Sequence, residues 1–186
     1  MRYQLEPSYI LHARQFRESS LILEALSREH GRVAVVARGA RGARSRWKNM
    51  LQPFRPLLLS WTQKGEMGTL TGADQVASLP PLEGEPLFCG IYANELLLRF
   101  LQRSDAHPRL FDRYRELLGA LIAGESPQPP LRLFEKQLLD AAGFGVSYDC
   151  ESGTSKPVEA GAYYRFHAES GPVRVGDRAG EEDRLV

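Results

Sequence analysis

GRVAVVARGARGARSRWKNMLQPFRPLLLSW, residues 31–61, is the stretch on which the reading of this chain turns. Val33, Val35 and Ala37 alternate with Ala34 and Val36, the period-two pattern of a strand. A loop rich in Gly and Arg follows. It carries Arg38, Arg41, Arg44, Arg46 and Lys48, with Trp47 among them and no acidic residue. Leu57, Leu59 and Trp61 then alternate with Leu58, Ser60 and Thr62 as a second strand. Cations held between two strands suit a polyanion, and a flat aromatic among them suits a stacked base. The same residues also fit a solvated basic loop, with Trp47 packing at the rim of a barrel.

Working outward, residues 8–16 have strand composition, with Tyr9, Leu11 and Ala13 expected on one face. Arg14 and Arg17 border the turn that follows. Leu21, Leu23 and Ala25 mark another strand, buried on at least one side. Glu29-His30-Gly31 is a turn in which Gly31 is free to take positive φ. Gly65 and Gly68 punctuate the approach to a weaker strand from Leu70 to Val76. Five short strands within about 75 residues fit a small closed barrel, and the OB type is the economical form. In that type nucleic acid crosses one sheet face between gripping loops. The basic loop, Arg14 and Arg17 are therefore expected on that face.

Leu79-Pro80-Pro81-Leu82 breaks the strand pattern, and the period changes to 3.6. Leu87, Ile91, Leu98 and Leu101, flanked by Phe88, Tyr92, Leu96 and Phe100, form a helix with so wide an apolar face that burial on more than one side is expected. Leu110, Phe111, Tyr114, Leu117, Leu118, Leu121 and Ile122 form a cleaner stripe, entered at Pro108 and stopped at Gly124. Leu131, Phe134, Leu138, Leu139 and Ala142 form a third helix, ended by Gly143. Three helices with short connections pack as a bundle. The fold class is α+β: residues 1–79 as the barrel and 84–144 as the helical domain. Tyr163 to Phe166 and Val173 to Val175 then suggest a hairpin, and residues 176–186 form a charged tail.

Charge is distributed unevenly. Residues 1–64 hold 12 Lys and Arg against 4 Asp and Glu, whereas residues 65–186 hold 12 against 19. A front balance of +8 and a back balance of −7 point to a nucleic-acid-facing part joined to something with another task. Cys89 and Cys150 are the only cysteines, too few for a disulfide framework, and a reduced, cytoplasmic setting is the natural expectation. The first residues have no long apolar core of a signal peptide, and no apolar run reaches the roughly 18 residues of a membrane helix.

Catalytic patterns do not emerge. His12, His30, His107 and His167 lie at no metal-ligand spacing to one another or to Cys. GxSxG, HExxH and the phosphate loop GxxxxGK[ST] are all missing. Gly39-Ala40-Arg41-Gly42 lacks the lysine and hydroxyl of a nucleotide cradle, and Gly143-Phe144-Gly145 reads as a helix stop. No catalytic residue and no cofactor is expected, and a binding protein is favoured over an enzyme.

The order of parts resembles the bacterial RecO family of recombination mediators. The likeness is carried by Ser20-Leu21-Ile22-Leu23, Gly31-Arg32-Val33, Ala37-Arg38-Gly39-Ala40-Arg41, Leu51-Gln52-Pro53-Phe54, Pro56-Leu57-Leu58-Leu59, Tyr92-Ala93-Asn94-Glu95-Leu96-Leu97 and Leu131-Arg132-Leu133-Phe134-Glu135. The resemblance implies an OB barrel, a helical domain and a zinc-ribbon-like insertion at residues 145–175. It implies work in the RecF pathway: binding single- and double-stranded DNA, annealing strands and helping to load RecA. Implied partners are RecR and the C-terminal tail of single-stranded-DNA-binding protein, with no membrane, in a nucleoid-associated cytoplasmic setting. DNA would lie on Arg14, Arg17, Arg38, Arg41, Arg44, Arg46, Trp47 and Lys48. In an adaptor reading, the tail's carboxylate would meet Arg132, with Leu131, Phe134 and Leu138 lining its pocket. Many relatives carry two CxxC pairs in the ribbon. Here Cys150 stands alone, so no structural zinc is expected.

Overall fold

A computed structural model describes residues 1–47 and 49–176. The chain divides into two units, Met1–Leu138 and Leu139–Val186.

In the first unit, β1 (Arg2–Phe16), β2 (Ser20–Ser27), β3 (Gly31–Ala37), β4 (Leu57–Gln63) and β5 (Gly68–Gln75) close into a barrel in the order β1-β2-β3-β5-β4. Four of the five contacts are antiparallel, and β3 meets β5 in parallel. β1 begins at Arg2, well ahead of the expected start. It pairs with β4 from Arg2 to Ser8 and with β2 from Ser8 to Phe16, so one long strand joins both edges of the sheet. Closure leaves no open edge to pair with another chain.

Alternation sets the interior. Leu23, Val35, Leu57, Leu59 and Trp61 are all but fully buried in the barrel core. The expected face of β1 is corrected by a bulge. The register shifts between Ile10 and His12, so Ile10 and Ala13 point inward. Tyr9 instead points outward and packs on Phe111 and Tyr114, with ring centroids 5.4 and 5.2 Å away.

The helices are α1 (Gly84–Phe100), α2 (Pro108–Ala123) and α3 (Gln128–Ala141). α2 starts on Pro108 and ends at Gly124, whose φ of 76° is the left-handed cap that glycine adopts without strain. α1 departs from expectation. It buries Gly90, Ala93, Asn94 and Leu97, while Phe88 is 71% and Ile91 48% exposed. Its inner face is narrow for a steric reason. A Cβ on Gly90 would lie 2.9 Å from the Phe54 ring, so small residues take that side and large apolar ones turn away. Among the described residues, no helix is long and apolar enough to cross a membrane.

The helices lie on the outside of β1, β2 and β3. Asn94 is buried and donates its amide to the Leu11 carbonyl at 2.9 Å, and the Tyr114 hydroxyl donates to the Asn94 amide oxygen. Complete burial pushes the Tyr114 pKa well up, so it stays a neutral donor. Arg28 grips Asp112 through Nε at 3.3 Å and Nη2 at 2.9 Å. Arg103 pairs with Glu24, and Arg32 donates to the Leu98 carbonyl at 2.6 Å. Gly31, at φ +64°, leaves room for this docking, because a Cβ there would sit 1.9 Å from the Asp105 carbonyl oxygen.

In the second unit, β6 (Tyr163–His167) and β7 (Gly171–Val175) form the expected antiparallel hairpin. Its donor set does not fit a zinc ribbon. Among the described residues no three His, Cys, Asp or Glu side chains converge, and Cys150 is the only thiol of this unit. Glu151, beside it, is 7% exposed and gathers the loop instead. Its carboxylate accepts from the Thr154 hydroxyl at 2.8 Å and the Tyr164 hydroxyl at 3.1 Å, with Arg174 3.7 Å away. Residues 177–186, most of the expected charged tail, lie outside the described residues.

Candidate nucleic-acid interface

The upper end of the barrel is formed where the β1–β2 turn, the exit of β3 and the β4–β5 turn meet. A cleft of about 790 Å³ opens there. Its lining comes from all three segments: Phe16 to Ser20, Val36 to Gly39 without Ala37, and Met67 to Thr69. Strand pairing explains its floor. Phe16 lies opposite Ser20, Ile22 opposite Val36, and Val36 opposite Thr69, so Phe16, Ser20, Val36 and Thr69 share the outer face of adjoining strands.

The lower half of that outer face is not available. Leu26 is 1% and Ala34 3% exposed although neither belongs to the barrel core. The helices cover this side through the Asn94, Tyr9, Arg28 and Arg103 contacts. On β2 and β3, then, the outer face on which nucleic acid was expected is covered below and open at its upper end, beside the loops. Glycine-rich turns and a left-handed Arg17 are compatible with a tight rim, whereas helix packing needs the flat apolar surface below.

The predicted cations gather around this end. Arg14 is exposed on the outer face of β1, opposite Ile22. Arg17 has φ +54°, and its guanidinium carbon sits 5.1 Å from the Phe16 ring centroid. Arg38 lines the cleft. The Arg41 amide donates to the Ser19 carbonyl at 2.9 Å, and its Nη1 donates to the Glu18 carbonyl at 3.2 Å, which folds the basic loop back onto the β1–β2 turn. Arg44 is exposed. Arg46 reaches the Thr71 carbonyl on β5 at 3.3 Å. None of these six arginines is ion-paired to a carboxylate of the described residues. Lys48 lies outside the described residues.

Trp47 takes the second of its two expected roles. It is 6% exposed, belongs to the barrel core and carries Arg46 over its ring at 4.1 Å. With its ring buried in the core and a guanidinium over it, Trp47 presents no face to a base. The aromatic that does border open space is Phe16, which sequence reading passed over. Its signal was slight: an aromatic at a strand end, next to Arg17. Met67 and Thr69 carried none, since they reach the cleft only through the parallel contact of β3 with β5.

The peptide pocket expected on α3 is corrected. Leu131 is 6%, Phe134 0% and Leu138 2% exposed, so all three face the interior. Their spacing of three and four residues is that of a core stripe. Arg132 alone of that set is at the surface, 67% exposed and paired with Glu135 at 2.5 Å. Glu135 also accepts from the Tyr92 hydroxyl at 2.9 Å.

The cleft holds one acid, Glu18, and no His or Cys. It is equipped to hold an anion. A closed five-stranded barrel of this strand order followed by three helices defines a protein with an OB fold joined to a helical domain. A family profile described as recombination protein O N terminal matches residues 1–79, and one described as recombination protein O C terminal matches residues 82–185. The chain is 47% identical over 175 residues to the DNA repair protein RecO of Nitrosococcus oceani, covering 94% of this chain and 71% of that one. It is 44% identical over 173 residues to the RecO of Dechloromonas aromatica, covering 91% and 71%. For the RecO of Haemophilus influenzae the figures are 42% over 173 residues, 93% and 73%. The chain belongs to the RecO family of DNA repair proteins.

Proposed function

We propose that this protein is a non-catalytic mediator of recombinational repair that holds DNA on the upper end of its barrel. The observation that carries this reading is that Arg17 and Arg38 line the cleft, with Arg41 held on the same turn, and that none of them meets a carboxylate of the described residues. Strand annealing needs no covalent chemistry. Cations that offset the repulsion between two phosphate chains, with bases left exposed, are sufficient. Membership of the family supports the finer parts: binding of single and double strands, action in the RecF pathway, and cooperation with RecR in loading RecA onto DNA coated by single-stranded-DNA-binding protein. Residues 1–79 are the DNA-binding part and 84–144 the partner-facing part in this reading, which places the protein in the cytoplasm at the nucleoid.

Salt dependence tests it. Five phosphate contacts on single strands give a log–log slope of roughly −3.5, from about −0.7 per phosphate. Replacing Arg38, Arg41, Arg44, Arg46 and Lys48 with Ala is expected to remove most of that slope, leaving the share of Arg14 and Arg17. Unchanged affinity and slope reject the assignment.

A second reading, docking of the acidic, apolar-ended tail of single-stranded-DNA-binding protein, is supported by one surface. Arg132 lies beside Tyr92, which is 41% exposed, through their shared partner Glu135. Peptide titration is expected to weaken with Arg132→Ala and with Tyr92→Ala. Loss with neither variant removes this surface from consideration.

A further inference from the structure

We propose that the cleft is a single-strand discriminator: one unpaired base enters it and stacks on Phe16, while the flanking phosphates lie on Arg17 and Arg38. This rests on the DNA-binding reading above and adds to it a residue and a preference.

Shape is the first argument. Phe16, Ser20, Val36 and Thr69 form a short strip across four adjoining strands, walled by the β1–β2 turn on one side and by Met67 on the other. A volume of about 790 Å³ holds a nucleotide but is far too small for a duplex. Helices cover the outer face of β2 and β3 below the cleft, so a strand cannot lie along β2 and β3 with base after base on the sheet. Only a base turned out of the backbone's path reaches the floor.

Chemistry is the second argument. Phe16 is the one aromatic ring lining the cleft and is half-buried; Arg17 lies over one of its faces at 5.1 Å, so the base takes the other face and the ring is sandwiched between base and cation. Arg17 is a non-glycine residue in the left-handed region, at φ +54°. Such a conformation is rare away from Gly, Asn and Asp and is held by the surrounding turn. Here it directs the guanidinium back over the preceding side chain. The Ser20 and Thr69 hydroxyls make no hydrogen bond to the described residues, which leaves them free for the edge of a base. Glu18 also borders the cleft and repels phosphate, so the backbone must pass on the side of Arg38.

A paired duplex keeps its bases stacked inside and meets only the arginines of the rim. The cleft therefore adds affinity for single strands and nothing for duplex. Stacking of one base on an aromatic corresponds to roughly a 5- to 150-fold change in affinity.

Three DNA probes with equal phosphate number test this: an oligothymidylate, the same strand with abasic sugars, and a duplex. With the wild type, abasic sugars are expected to weaken binding within that range. Phe16→Leu is expected to weaken the oligothymidylate equally, to leave the abasic strand and the duplex within about twofold, and to preserve the salt slope. Phe16→Trp restores the preference. Equal affinity of wild type for thymidylate and abasic strands overturns the proposal without recourse to any variant, and so does a parallel loss on single strand and duplex with Phe16→Leu. A wild type that binds none of the three removes the parent reading, which is a different result from binding all three alike.

Discussion

Arg17, Arg38, Arg41, Arg44 and Arg46 meet backbone carbonyls, aromatic rings or solvent, but no carboxylate among the described residues. Arg28, Arg99, Arg103, Arg113, Arg115 and Arg132 do the opposite. Each is held by Asp112, Glu95, Glu24, Glu116, Asp112 or Glu135 in turn. The two groups are the same residue type, and their surroundings give them different work. Of the paired arginines, Arg28 and Arg103 fasten the helical part to the barrel, and the other four pair within their own helices. Among the unpaired ones, Arg17 and Arg38 line the cleft and Arg41 is tied to the turn beside it, so their charge is not offset by a carboxylate contact. Glu95, Glu116 and Glu135 are each held by an arginine of their own helix, so these acids do not reach the basic loop.

The largest expected effect concerns what holds the free group in place. Trp47 anchors the basic loop in the core and supports Arg46. Trp47→Ala is expected to cost about 3–5 kcal/mol in denaturant unfolding, because it empties a large buried volume. A loss below about 1 kcal/mol would mean that the loop is not anchored there, and the contrast between the two arginine groups would lose its structural basis.

The second unit has its own paired arginine, Arg174, beside Glu151 and 3.0 Å from Glu159. Glu151→Gln keeps the shape but unbalances a buried hydrogen-bond set. A loss of about 1–3 kcal/mol is expected, read as faster amide exchange in the β6–β7 hairpin. A metal chelator added to the wild type is expected to change nothing there. Chelator-sensitive exchange would show that Glu151 is not what gathers this loop.

The smallest effect sharpens the comparison by pH. The hydrogen bond from Arg28 holds the Asp112 carboxyl below the usual carboxylate range. The stabilisation from this pair is therefore fully present above the unfolded value, near 3.9, and is lost as pH falls through the depressed folded value. Asp112→Asn is expected to cost about 1 kcal/mol at pH 7, with both groups partly exposed. The difference from wild type should hold constant down to about pH 5 and shrink below about pH 4. DNA affinity should stay within twofold throughout. A change in DNA affinity larger than the change in stability would mean that the paired group also faces the ligand.

Period-two alternation was enough to find the inner faces of β2, β3 and β4, and period 3.6 with Pro108 and Gly124 was enough to bound α2. These are local signals, written by each residue's nearest neighbours along the chain. The count of cations in residues 38–48 was equally plain. Missed were the bulge that turns Tyr9 outward and the exposure of Phe88 on α1, while the choice between the two roles of Trp47 was left open. Each of these depends on a partner distant in sequence: Phe111 and Tyr114 for Tyr9, the barrel interior for Trp47, Phe54 against Gly90 for α1.

By itself, then, the amino-acid order determined that a small barrel precedes three helices and that positive charge is massed in front. Only tertiary structure decided which cations remain unpaired and which part of the sheet stays open. An ion pair such as Arg28 with Asp112 joins residues 84 apart, and the helix-covered face is defined by contacts of similar reach. Hydrophobic period and charge count are properties of neighbours on the chain, while neutralisation and coverage are properties of neighbours in space.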